Sequence, residues 1–153
     1  MEVAQLKFVL SLFVAFLLIR SIRAKSVRYC DREGNYAVKV AEVEMSPDPV
    51  VRGQPATFNL IASSGVPIST GKLVIDVSYF GVPIHKEIHD LCEETTCPVS
   101  VGDFVLSHTE LLPGFTPPGS YTLKMIMNDE DENELTCVRF DFRIKVGSSV
   151  ADI

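Results

Sequence analysis

The chain has 153 residues, 46% of them hydrophobic and 22% charged, with nine Gly, nine Pro, four Cys, no Trp and a formal net charge of −6. That composition fits one domain of ordinary size and excludes a long repeat array, a disordered chain and a collagenous one. The first 26 residues hold four of the fourteen basic groups and one of the twenty acidic ones; the remainder carries ten basic against nineteen acidic groups, a net of −9 that excludes phosphate-neutralising nucleic-acid binding.

In chain order, the first element is the apolar run 8–19 (FVLSLFVAFLLI), preceded by Lys7 and followed by Arg20-Ser21. It falls short of the roughly 20 residues that span a bilayer and reads as the core of a secretory signal over residues 1–26. Cleavage is expected after Ala24 or Ser26, with an uncleaved anchor as the alternative. A domain over 27–146 and a short tail, 147–153, then follow. The tail ends without a retention tetrapeptide, which argues against retrieval to the endoplasmic reticulum.

The mature chain thus enters an oxidising compartment, where Cys30, Cys92, Cys97 and Cys137 are expected to form two disulfides. Four cysteines allow three connectivities, and sequence alone does not choose among them. Cys92 and Cys97 lie close enough to close a local loop, and that pairing would leave Cys30 to join Cys137.

After Val27 the pattern is period two, with turn residues between runs. Residues 36–45 mix Val with charge and stop at Ser46-Pro47-Asp48-Pro49. Residues 54–63 place Phe58, Leu60 and Ala62 on one face, and residues 72–80 do the same with Leu73, Ile75, Val77 and Tyr79. Beyond Gly81, Val82, Ile84 and Ile88 share a face that Lys86 interrupts. Residues 121–127 align Tyr121, Leu123, Met125 and Met127 before an acidic hairpin tip at 129–133. The last strand alternates Val138, Phe140, Phe142, Ile144 and Val146 with Arg139, Asp141, Arg143 and Lys145. With no sustained helical period, seven or eight short strands indicate an all-β two-sheet sandwich.

Three chemistries can be weighed on spacing. His85 and His89, four apart with Cys92 and Cys97 beyond, suggest zinc, but on a strand the two imidazoles stand about 13 Å apart. Solvent-facing histidines beside a disulfide loop, and no metal site, are therefore expected. No G-x-S-x-G elbow is present, and the serines at 63, 64 and 69 lie at turns without a histidine in a recognisable order, so no catalytic residue is expected. The acidic run from Asp129 lacks the Gly and Glu of a twelve-residue calcium loop, and the chain has no N-glycosylation sequon.

The ordered set Tyr29-Cys30, Gly81-Val82-Pro83-Ile84, Cys92-x4-Cys97-Pro98, Leu112-Pro113, Pro118-Gly119-Ser120-Tyr121 and Glu134-Leu135-Thr136-Cys137 resembles the MD-2-related lipid-recognition (ML) domain family. Residues 46–53 and 102–108 are similar to its plant phosphatidylglycerol/phosphatidylinositol transfer-like branch, a relative of the sterol carriers. The resemblance covers essentially all of the mature chain. It implies an immunoglobulin-like sandwich parted to admit a lipid, with disulfides Cys30–Cys137 and Cys92–Cys97. It also implies a secreted or lumenal protein, extracellular, apoplastic or vacuolar, that binds a sterol or phospholipid without a cofactor.

On that resemblance the cavity lining is expected from Phe58, Leu60, Leu73, Ile75, Val77, Tyr79, Val82, Ile84, Tyr121, Leu123, Met125, Phe140 and Phe142, with Met127 and Ile144 on the same inner faces. Lys86 and Phe115 are expected at the mouth. Two departures stand out: a short-range disulfide found after the first cysteine of sterol carriers is absent between Asp31 and Tyr36, and His85-Lys86-Glu87 replaces an aromatic, proline-rich mouth. A polar mouth suits a large headgroup. The expected function is lipid binding and transfer by a monomer touching membranes transiently; the alternative is an interaction module or receptor accessory protein with a membrane-protein partner.

Overall fold

The computed structural model describes residues 1–17 and 23–147. The end of the expected leader, 18–22, and the tail from 148 lie outside the described residues, as does the reading of the C-terminal tetrapeptide. Helix α1 (Glu2–Leu17) is exposed wherever its side chains are described. Among the described residues no helix is long and apolar enough to cross a membrane.

The remainder is a two-sheet sandwich. One sheet has the order β1 (Arg23–Lys25), β3 (Val38–Ser46), β5 (Pro55–Ser64), β8 (Gly102–Leu111). The other runs β2 (Arg28–Tyr29), β10 (Glu134–Lys145), β9 (Gly119–Asp129), β6 (Gly71–Tyr79), β7 (Val82–Asp90), and β4 (Val50–Val51) pairs parallel with β10. The short helix α2 (Leu91–Glu94) connects β7 towards β8. The all-β fold and both expected disulfides, Cys30–Cys137 and Cys92–Cys97, are present. Both expected cleavage points touch β1: one falls inside it and the other one residue beyond.

Strand phase follows the alternation wherever inner positions are apolar. In β10, Val138, Phe140, Phe142 and Ile144 are buried while Arg139, Asp141 and Arg143 face water. In β5, Phe58, Leu60 and Ala62 turn inward, and in β9 Tyr121, Leu123, Met125 and Met127 do so. The interior is densest at one end, where Leu60, Leu73, Met125 and Phe140 are almost fully buried together. There Tyr29, on the second sheet, reaches across to the first: its hydroxyl accepts from the Val40 amide at 2.8 Å. Cys30–Cys137 ties β2 to β10 at the same end.

The β6–β7 hairpin turns through Phe80 (φ 48°) and Gly81 (φ 78°). Two consecutive positive-φ residues are what a type I′ turn demands, and Gly81 meets it without strain. Phe80 is held there by its ring packing edge-on against Tyr79, centroids 4.5 Å apart. At the β9–β10 tip, Asp129 accepts hydrogen bonds from the amides of Asp131 and Asn133 and from the Asn133 side chain.

The β7 expectation is overturned. Its register pairs Leu73 with His89, Ile75 with Glu87 and Val77 with His85, so these polar residues share the inner face of β6. Val82, Ile84 and Ile88 are all more than half exposed. Period two is indifferent to sign, and a one-residue change of phase exchanges the two faces. Strand β8 was not among the elements read from periodicity; Phe104, Leu106 and His108 do alternate inward, but polar residues occupy the end of that row.

Replacing Cys30 and Cys137 together by Ser is expected to lower unfolding free energy by about 2–5 kcal/mol, since the bridge closes a loop of more than a hundred residues; urea unfolding of the double variant measures it. The hydrogen bonds from the Asn133 side chain and backbone hold the Asp129 carboxyl below its ordinary value of 3.8. A depressed folded value means the turn gains stability above the ordinary value and loses it as pH falls through the folded one. A carboxyl NMR titration should show a midpoint below 3.8 that returns upward in Asn133→Ala.

Candidate functional site

Between the sheets, at the end opposite the dense packing, lies a cavity of about 330 Å³. Each strand contributes the inner residue next to the packed layer: Ala56 and Phe58 from β5, Ile75 and Val77 from β6, Tyr121 and Leu123 from β9, Phe142 and Ile144 from β10. Around the space Phe58 packs edge-on against Phe142 at 5.8 Å, and Tyr121 stacks on Phe142 at 5.6 Å. The β8–β9 connection, from Leu112 to Pro117, covers the open end. It is anchored by Tyr121, whose hydroxyl donates to the Pro117 carbonyl at 2.6 Å, and by Tyr79, which donates to Pro118 at 3.1 Å. Burial, reinforced by Tyr79, pushes the Tyr121 phenol up.

Of the expected lining, Phe58, Ile75, Val77, Ile84, Tyr121, Leu123 and Phe142 surround the cavity, as do Phe115 from the expected mouth and Ile144. Leu60, Leu73, Met125 and Phe140 do not: they sit one inner step further along their strands, inside the packed layer. Tyr79 is spent on holding the covering loop. Val82 and Lys86 are also absent from the wall; Lys86 pairs with Asp76 on the outer face of β6–β7. Ile84 reaches the wall because a bulge opposite Val77 and Ser78 inserts it as an extra residue beside His85. Ile84, Leu111 and Phe115 border the cavity while 52%, 62% and 85% exposed, forming an apolar lip.

Sequence reasoning missed the polar wall formed by His85 and Glu87 from β7 and His108 and Glu110 from β8. These are the edge strands of opposite sheets, joined through α2 but not paired with each other. All three histidines of the chain gather here. Glu87 receives His85 Nε2 at 2.5 Å on one oxygen and His89 Nε2 at 2.8 Å on the other. Glu94, from α2, lies 3.2 Å from His108 Nδ1 and 3.8 Å from His89 Nδ1. His85 keeps 58% of its side chain exposed, as expected of a solvent-facing histidine, whereas His89 is only 27% exposed and turns towards Glu87 and Glu94.

Burial by itself would raise the Glu87 carboxyl, but its hydrogen bonds with His85 and His89 outweigh burial and hold it below its ordinary value. The hydrogen bond to Glu87 raises His89 above its ordinary value against the opposing effect of burial. The signal that could have located this wall is the row Phe104, Leu106, His108, Glu110, which keeps period two while changing from apolar to ionisable.

A disulfide-bonded β-sandwich, packed at one end and hollow at the other with an apolar lip, defines the class: a small cavity-bearing immunoglobulin-like domain. Residues 24–144 match the ML domain, and the chain belongs to that family. It is 28% identical over 149 residues to the MD-2-related lipid-recognition protein ROSY1 of Arabidopsis thaliana, covering 92% of this chain and 90% of that one. It is 28% identical over 129 residues to the phosphatidylglycerol/phosphatidylinositol transfer protein of Aspergillus oryzae, covering 76% and 74%. Among solved structures, a Niemann-Pick type C2 protein from Japanese carpenter ant superposes with a TM-score of 0.65 at 18% identity, over 79% of this chain and all of the other.

Tyr121→Phe removes the hydroxyl that holds Pro117. We expect a loss of about 0.5–1.5 kcal/mol in stability, and amide hydrogen exchange that quickens over residues 112–118 while the packed end keeps its protection.

Proposed function

We propose that this protein binds a lipid in the cavity between its sheets and carries it between membranes or presents it to a partner. The observation that carries the reading is the cavity itself: a sandwich filled by its own side chains would serve as an interaction module, whereas this one leaves about 330 Å³ within an apolar lining. That volume lies at the lower end of small-molecule sites. The names of the ML relatives from Aspergillus and Arabidopsis support the same reading.

The mechanism is desolvation. Burying a sixteen-carbon chain at about 0.8 kcal/mol per methylene releases on the order of 13 kcal/mol relative to water, similar to what a bilayer offers the same chain. Exchange between the two is near thermoneutral, and no bond need form or break. The carboxylates of Glu87 and Glu110 accept hydrogen bonds, so the polar wall suits a ligand whose polar part carries hydroxyls, as inositol, glycerol and sterol lipids do. The lip of Ile84, Leu111 and Phe115 is the surface that meets the membrane, since a domain with a net charge near −9 is not drawn as a whole to anionic lipid. Residues 1–26 act as a leader, delivering a disulfide-bonded monomer to an extracellular or lumenal compartment.

Native mass spectrometry after purification, followed by transfer of fluorescent phosphatidylinositol, phosphatidylglycerol, phosphatidylcholine and sterol between vesicles, tests the reading. Co-purified lipid and saturable transfer are expected. Val77→Asp places a charge on the wall and should abolish both while circular dichroism stays native. A folded Val77→Asp protein that still transfers lipid, or a wild type that neither holds nor moves any of the four, overturns it.

A further inference from the structure

The polar wall presents more imidazole nitrogens to carboxylates than neutral histidines have protons. His85 Nε2 and His89 Nε2 face Glu87; His89 Nδ1 and His108 Nδ1 face Glu94; His108 Nε2 stands 3.9 Å from both Glu87 and Glu110. Three neutral imidazoles carry three N–H groups between them. With all three rings neutral, two of the five nitrogens point a lone pair at a carboxylate, a mismatch that a further proton or a metal ion relieves. The groups are also poorly solvated: His108 is 5% exposed, and the Glu94 and Glu87 side chains 12% and 19%.

We propose that Glu87, His89 and His108 form a binding site for a divalent transition-metal ion of the zinc class, bridging the edges of the two sheets. One ligand atom from each lies within 4.8 Å of the others. A tetrahedral ion at about 2.0–2.1 Å from each ligand needs ligand atoms about 3.3 Å apart. Glu87 Oε2 is 2.8 Å from His89 Nε2 and 3.9 Å from His108 Nε2, each about half an ångström from that spacing, and the widest separation in the trio, up to 4.8 Å, must close by about 1.5 Å as the two edge strands draw in on an ion.

The ion resolves the proton count. His89 and His108 both turn Nδ1 towards Glu94 and Nε2 towards Glu87. With Nδ1–H donated to Glu94 and the Nε2 lone pair given to the ion, His108 is satisfied at both nitrogens, and His89, whose Nδ1 stands 3.8 Å from Glu94, needs a small shift to match it. His85 then uses its one proton on the remaining oxygen of Glu87. Glu94 is the second-layer carboxylate that commonly fixes the tautomer of metal-bound histidines. The donor set of two imidazoles and one carboxylate suits zinc, copper or nickel better than calcium or magnesium. Because Glu87, His108 and Glu110 line the cavity, the ion's remaining position opens towards Glu110 and the cavity.

On one strand His85 and His89 share a face but stand too far apart to hold one ion between them. The site instead uses His89 with a histidine from the opposite sheet.

The test titrates EDTA-treated, dialysed protein with zinc chloride at neutral pH, read by calorimetry and by imidazole ¹H–¹⁵N NMR. One equivalent should bind, with the His89 and His108 Nε2 resonances shifting and both rings in the Nδ1–H form. Glu87→Gln and His89→Gln should each weaken binding about 100-fold or more, Glu94→Gln about 10–100-fold, and the remote Glu132→Gln not at all. Circular dichroism checks each fold; if one ligand variant fails to fold, the other and the wild-type NMR still decide. No saturable binding by wild type, or undiminished binding in a folded Glu87→Gln or His89→Gln protein, overturns the site. Because Glu87 also faces the cavity, the titration is run on protein with its lipid removed as well as on protein as purified, so that failure of the metal site and failure of the lipid reading are distinguishable.

Discussion

The two sheets cannot close on each other along their whole length, because the layer that sets their separation sits at one end. Phe140, Leu60, Leu73 and Met125 fill that end to near-complete burial. Tyr29 bridges to Val40 there, and Cys30–Cys137 ties the start of the domain to its last strand at the same place. One inner step further, Phe58, Ile75, Leu123 and Phe142 meet with space left between them. Interior groups facing a void lose contact atoms on one side, and the packed end is already filled by side chains that are almost fully buried. The loop from Leu112 to Pro117 covers that space, held from below by the Tyr121 and Tyr79 hydroxyls. The cavity is thus maintained by a rigid end and a tethered cover, not by a fault in packing.

The same separation leaves the sandwich open along one side. β7 and β8 are edges of opposite sheets, and between them stand ionisable side chains in place of backbone pairing. Inward-pointing charge on edge strands is one way proteins prevent strands from pairing with another chain. That account explains why some charge lies there. It does not explain why all three histidines converge on Glu87 and Glu94, since poorly solvated carboxylates without a cation cost several kcal/mol. Net charge sharpens the point: in a domain near −9 the inner edge is where further negative charge is least tolerable, and its nearest counter-ions are imidazoles that need a proton or a metal.

How far the sequence discloses this arrangement depends on whether inner positions are apolar. β10 is legible because Val138, Phe140, Phe142 and Ile144 are apolar inside while Arg139, Asp141 and Arg143 are charged outside, a pattern with one consistent phase. β7 alternates equally well, but Ile88 lies outside and His85, Glu87 and His89 inside, and Ile84 reaches the cavity only through the bulge. Hydrophobic phase therefore assigns it backwards. The row through β8 fades for the same reason at His108 and Glu110. The expected cavity residues on β5, β6, β9 and β10 share the inner face but run one step beyond the cavity, because alternation marks a face without marking where packing ends. Periodicity reads apolar walls and misreads polar ones.

On the lipid-carrier reading, the division between an apolar chamber and a polar edge has a kinetic consequence. Chain burial offers about the same free energy in cavity and bilayer, so it contributes little to direction or to selectivity among tails. Selectivity must come from the polar part, where one unpaired hydrogen-bonding group costs about 1–3 kcal/mol, enough to separate headgroups by one to two orders of magnitude. Glu87 and Glu110 are the groups that can impose it. Exchange rate is then set by how readily the cover carrying Phe115 parts from Tyr121, since that loop stands between the chamber and the lip. Recognition and gating thereby fall on different elements, the β7–β8 edge and the β8–β9 loop, and either can change without disturbing the packed end that holds both in place.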